Sequence, residues 1–175
     1  MTRPALGTPR RTLQMVLLAA ALAGTKAAAA PPSRPHVDPQ LGPFVLAQIQ
    51  RAAERLERAP CSLVLGDFVD PETGRPLSEK LAATGTTPAG YLGSLTYLPG
   101  SLDGVCRDTT IGAYTSPGSQ IVYVCPRRFQ RWQASKEQNL PAAILIHEAL
   151  HTLGLGENPP TTEEITARVA ARCGR

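Results

Sequence analysis

Histidine is scarce in this chain. Its 175 residues include three, His36, His147 and His151, together with two methionines, Met1 and Met15, and one tryptophan. A metal site built on three histidines would have to recruit His36 from a proline-rich stretch, so any site at His147 and His151 needs a carboxylate as its third ligand. Aromatic residues make up only 5%, which leaves the core to Leu, Val, Ile and Ala. There is no Cys-x2-Cys pair, which excludes the usual cysteine zinc framework. No internal repeat is visible. The apolar run from Leu13 to Ala23 is too short to span a bilayer comfortably.

The charge is also less than it looks. The net charge of +4 comes from 18 Lys and Arg against 14 Asp and Glu. Arg3, Arg10, Arg11 and Lys26 all lie in the first thirty residues, which contain no acid. The remainder is neutral, which removes the basic surplus expected of a nucleic-acid binder. The leading segment itself reads as an export signal over residues 1–29, with a basic start, an apolar centre and an Ala-x-Ala cleavage site after Ala29. Arg10-Arg11 permits twin-arginine export, although an ordinary secretory signal accounts for it too. Residues 30–43 read as a loose proline-rich lead and 44–175 as one domain, long enough for a real core.

The even cysteine count, four, in an exported chain reads as two disulfides. Three pairings are available. Cys106 and Cys125 bracket an expected hairpin, which leaves Cys61 for Cys173. Apolar spacing predicts a helix over 44–60, ended by Pro60. "CSLVLGDFVD" reads as a strand, residues 77–88 as a short helix and "YLGSLTYL" as a second strand. "TTIGAYTSPGSQIVYVC" reads as two strands around a turn. "RRFQRWQASKEQ" is helical or turn-like, its basic residues forming a solvated face. "NLPAAILIHEALHTLGLG" is a helix with Asn139 as N-cap and Gly154 as its stop. Thr161 and Glu164 form a capping-box pattern for a last helix. The expected fold is α+β: a small mixed sheet packed against the His147 helix, with helices at both ends of the domain.

The chemistry concentrates in "ILIHEALHTLGLGENPP", residues 144–160. His147 and His151 are four apart, so a helix projects both rings from one face toward a common metal. Glu148, adjacent to His147, has the offset of a general base acting on a metal-activated water. Glu157 follows six residues after His151, with Gly154 between to turn the backbone, and a set of two histidines and one glutamate is an established catalytic zinc set. Glu163 and Glu164 are alternative third ligands, though Glu164 is also explained by capping. Tyr114, Tyr123 and Arg128 are candidates for oxyanion stabilisation. "QIVYV" is a candidate edge strand for pairing with an extended peptide, or an ordinary sheet strand.

The eleven residues "HEALHTLGLGE" resemble the zincin metallopeptidases, most closely the metzincin pattern HExxHxxGxxH, with Glu157 in place of the third histidine. A methionine turn, usual in that group, is absent. The resemblance implies zinc at His147, His151 and Glu157, Glu148 as general base, and a peptide or protein as substrate. The chain is also similar to small exported bacterial proteins of unassigned role that share the "HEALHTLGLGENPP" ending, which implies no reaction. The expectation is therefore a secreted or periplasmic, monomeric zinc metallopeptidase-like hydrolase, with no nucleic-acid partner and no membrane span after signal cleavage. The alternatives are a non-enzymatic exported domain whose zinc site is structural or vestigial, and an inhibitor or binding module built on the cysteine framework.

Overall fold

The computed structural model describes residues 34–100, 104–135 and 137–174. The expected export signal lies outside the described residues. The fold is α+β, with seven helices and a four-stranded mixed sheet among the described residues. In chain order the strands are β1 (His36–Val37), β2 (Thr96–Pro99), β3 (Ala113–Tyr114) and β4 (Ile121–Val124). The helices are α1 (Gly42–Leu56), α2 (Ala59–Ser62), α3 (Leu77–Ala83), α4 (Pro88–Ser94), α5 (Pro126–Gln133), α6 (Leu140–Thr152) and α7 (Thr162–Cys173). The sheet runs β1-β2-β4-β3. Its first three strands are parallel, and β3 is antiparallel to β4.

Helix α6 is the centre of the molecule. Nearly every residue from Pro141 to Thr152 is buried, Ile144 being the partly exposed exception. A helix that is apolar all round needs neighbours all round, and α6 has α1, α5, α7, β3 and β4 packed against it. Its start is tethered by Arg55 of α1, whose guanidinium donates to the Asn139 carbonyl oxygen (3.0 Å) and to Asn139 Oδ1 (2.7 Å). The Asn139 side chain is thus engaged by α1, and it makes no capping hydrogen bond to its own helix.

Both expected disulfides are present, Cys61–Cys173 and Cys106–Cys125. The first ties α7 to α2, across a sequence separation of 112 residues. The capping box of α7 is also present, with Thr161 N donating to Glu164 Oε2 and Glu164 N to Thr161 Oγ1.

Several local expectations are corrected. "CSLVLGDFVD" is not a strand: it forms α2 and a 3-10 turn over Leu63–Gly66. Its buried apolar residues, Cys61, Val64, Leu65 and Phe68, follow the i, i+3, i+4, i+7 spacing of a helix face. Pro60 does not end α1, which stops at Leu56; it opens α2 instead, at a first-turn position where its missing N–H costs nothing. In "YLGSLTYL" the strand begins only at Thr96. The first four residues belong to α4, whose N-cap Thr87 accepts from Gly90 N at 3.0 Å. The proline-rich lead is ordered from His36, which pairs with Thr96 in β1, and Asp38 then caps a 3-10 turn over Pro39–Leu41. "QIVYV" is no edge: β4 lies between β2 and β3, with both sides of its backbone engaged.

Candidate metal centre

The helix places the first two donors without help from the rest of the fold. One turn apart on α6, His147 and His151 bring their Nε2 atoms to 2.9 Å of each other. Both residues are buried, at 3% and 4% exposure.

The third donor depends on how α6 ends. Gly154 has φ +104°, Gly154 N donates to the His151 carbonyl oxygen (2.7 Å) and Leu155 N to the Leu150 carbonyl oxygen (3.1 Å). These are the two hydrogen bonds of a Schellman stop, which requires a residue free of a Cβ penalty at its left-handed position. Leu155, buried, seals the turn from the apolar side. The reversal does two things for the site. It aims the Leu155 carbonyl at His151 Nδ1, 2.7 Å away, and it brings Glu157 back, with Oε1 3.1 Å from His151 Nε2 and 3.8 Å from His147 Nε2. His147, His151 and Glu157 thus present one donor atom each, all within 4.8 Å of one another, and this group could hold a metal ion. The Glu157 side chain is 48% exposed, so the cluster opens to solvent on that side.

An ion pair between an exposed lysine and a buried aspartate lies beside the reversal. Lys80 Nζ donates to Asp70 Oδ2 at 3.0 Å, and a Cβ on Gly154 would stand 2.6 Å from that ammonium. Asp70 is itself buried and also accepts from Glu72 N and Thr73 Oγ1. From the opposite direction the β3–β4 turn closes on α6, Gly118 N donating to the His151 carbonyl oxygen at 2.9 Å.

Burial sets the protonation of the site. His147 is pushed down to about 4, first by burial and then by the neighbouring His151, with Glu157 pulling weakly the other way. Its imidazole is therefore neutral at pH 7, the form that can donate a lone pair to a metal. Glu148 is buried, at 5% exposure, and its carboxyl is pushed up to about 8, chiefly by burial and further by the nearby Glu157 carboxylate.

The other sequence candidates fall elsewhere. Glu164 is committed to its capping box, and Glu163 is exposed and outside the donor cluster. His36 sits in β1, at the far side of the sheet order from β3. Tyr114 and Tyr123 stack on each other at 5.1 Å. They alternate with the buried Ala113, Val122 and Val124, so they occupy the other face of the sheet, away from the core that contains α6. Arg128 lies over the Trp132 ring, 4.6 Å from its centroid. One partner escaped the sequence reading altogether: Thr166, whose Oγ1 lies 3.0 Å from His147 Nδ1. It stands nineteen residues from that histidine, on another helix, and no local pattern announces it.

All four cysteines are paired, which fits maturation in an oxidising compartment. Among the described residues no helix is long and apolar enough to cross a membrane. No protein-family model matches the chain, and neither a curated protein nor a solved structure does.

Proposed function

We propose that the protein is an exported zinc-dependent hydrolase of the metallopeptidase type, with His147, His151 and Glu157 as ligands and Glu148 as general base. The observation that carries this reading is the convergence of two buried imidazole nitrogens and one carboxylate oxygen beside a buried glutamate. The donor separations of 2.9, 3.1 and 3.8 Å bracket the ~3.3 Å edge of a tetrahedron with zinc–ligand bonds of ~2.0–2.1 Å. Three protein ligands leave a fourth position open, as catalytic zinc sites do. The half-exposed Glu157 marks the side from which water and a substrate would enter.

Zinc held there supplies Lewis acidity that makes water nucleophilic near neutral pH and polarises a carbonyl. The protein's own part would be to keep the His147 imidazole neutral, to orient both ligand imidazoles, and to take up the proton of the attacking water. Burial, with the neighbouring Glu157, pushes the Glu148 carboxyl up to about 8, so without a metal it is mostly protonated near neutral pH, and the proton uptake needs that value lowered. The electrostatic pull of a bound cation would act against that shift. The expected substrate is a peptide or protein, and the expected compartment is the periplasm or the extracellular space, as the leading segment suggests.

One observation favours a second reading, a non-enzymatic domain in which the metal site is structural. His147, Glu148 and His151 are each no more than 5% exposed, and such enclosure limits access by a large substrate. Two substitutions separate the readings. In an enzyme, Glu148→Gln should retain about one zinc per chain and lose ~10²–10⁴-fold in peptidase activity. Glu157→Gln should lose metal and activity together, because a neutral amide is a poor zinc ligand. The enzymatic reading fails if the wild type cleaves a peptide and Glu148→Gln cleaves it equally fast. It also fails if the zinc-loaded wild type leaves a broad peptide library intact.

A further inference from the structure

We propose that Thr166 is a positioning residue for the metal ligand His147, and that its hydroxyl lets this imidazole change tautomer when metal enters. The inference rests on the metal reading above but concerns a residue outside the ligand set.

An imidazole that binds metal through Nε2 is neutral and carries its proton on Nδ1. A buried Nδ1–H needs an acceptor. The two histidines meet this requirement differently. His151 Nδ1 faces the Leu155 carbonyl oxygen at 2.7 Å. A carbonyl can only accept, so the backbone holds the proton on Nδ1 and leaves Nε2 bare. His147 Nδ1 faces a hydroxyl, Thr166 Oγ1, at 3.0 Å, and a hydroxyl can donate or accept.

The 2.9 Å separation of the two Nε2 atoms gives that freedom a use. Two bare nitrogens at this distance repel, so a proton belongs between them in the absence of metal. His151 Nε2 also has the Glu157 carboxylate oxygen at 3.1 Å, but that side chain is half-exposed and can turn to solvent, and Leu155 holds the His151 proton on Nδ1. The proton between the rings therefore sits on His147 Nε2, while Thr166 donates to the bare His147 Nδ1. Metal at the site requires the His147 Nε2 lone pair. The Nε2 proton is then given up to solvent, a proton is taken up at Nδ1, and the Thr166 hydroxyl turns to accept it. The net proton count of His147 is unchanged, and both ring nitrogens are satisfied in both states.

Thr166 is held in register for this. On α7, Ile165, Val169 and Cys173 form the buried stripe, and Thr166 stands at its border, half-buried. The last turn of α7 is pinned by Cys61–Cys173 and by the paired hydrogen bonds from Arg172 to Asp67, both 2.8 Å. The first turn is fixed by its capping box.

The test uses Zn²⁺ alone, titrated against a chromophoric chelator, with wild type, Thr166→Val and Thr166→Ser. Valine keeps the shape and removes the hydroxyl. It should weaken zinc binding ~10–100-fold, the usual effect of losing an outer partner of a metal-bound histidine. Serine should stay within about threefold of wild type. Imidazole ¹⁵N NMR of the wild type gives an independent readout: the His147 proton should be on Nε2 without metal and on Nδ1 with zinc. Equal zinc affinity in wild type and folded Thr166→Val overturns the role of Thr166 and leaves the metal reading standing. A His147 proton on Nδ1 in both states overturns the tautomer change. A wild type that takes up no zinc overturns the metal reading and this inference together. Should the valine variant fail to fold, the serine variant and the wild-type spectra still decide.

Discussion

Replacing Cys61 and Cys173 together by alanine should be far more damaging than replacing Cys106 and Cys125. The first bridge closes a loop with a sequence separation of 112 residues and the second one of 19. In the chain-entropy argument, losing these constraints on the unfolded chain costs about 4.8 and about 3.3 kcal/mol respectively, a gap of roughly 1.5 kcal/mol. Packing widens the gap. Cys61 and Cys173 are both almost fully buried, whereas Cys106 is only partly so. Native stabilities of single domains are ~5–15 kcal/mol, so the Cys61/Cys173 variant should be close to unfolding and the other should remain folded. Urea denaturation followed by far-UV circular dichroism, on oxidised proteins at one pH, measures both. With m-values of ~1–3 kcal/mol/M, the entropic gap alone separates the midpoints by about 0.5–1.5 M. A Cys61/Cys173 variant with the higher midpoint of the two would refute the reasoning. It would mean that α7 is held by its other contacts and that the long loop contributes little.

Two further outcomes test the surroundings of the site. Gly154→Ala should destabilise the protein by ~1–3 kcal/mol, because φ +104° strains any residue with a Cβ and the new methyl would stand 2.6 Å from Lys80 Nζ. It should also weaken zinc binding, since Gly154 steers Glu157 back to the histidines; unchanged thermal midpoint and zinc affinity would refute both statements. Asp67→Asn should lower stability at pH 7 by on the order of 1 kcal/mol. The Asp67 carboxyl is held below its ordinary range mainly by the hydrogen bonds from Arg172, so its contribution is complete above the unfolded value near 4 and is lost as pH falls through the lower folded value. The wild-type advantage should therefore shrink in acid, and a gap that stays constant from neutral pH down to pH 2 would contradict the assignment.

Much of the site was legible because its geometry is local. Two histidines four apart meet on one helix face whatever surrounds them, and Gly154 reads as a helix stop because few other residues tolerate its backbone angle. The capping box at Thr161 and Glu164 is local in the same sense. Local signals also misled. Cys61 to Phe68 carries both β-prone residues and helical spacing, and helical turns prevail as far as Gly66 because they bury Cys61, Val64 and Leu65 on one side. In "YLGSLTYL" the capping signal at Thr87 outweighs the strand pattern over its first half.

The sequence by itself determined that His147 and His151 share one helix face, where their helix stops, and that four cysteines form two bridges. Only the tertiary structure decided what surrounds them. Strand order is one case: β4 reads equally well as an edge or a central strand, and parallel pairing with β2, across intervening chain, makes it central. The buried state of Glu148 is another, since it depends on elements that pack around α6 from distant parts of the chain. Thr166 is the clearest. Its contact with His147 exists because α7 is docked on α6 by the Ile165 and Val169 stripe, Arg172 and Cys173. Contacts of this kind are set by the packing of whole elements, so the spacing along the chain carries no trace of them.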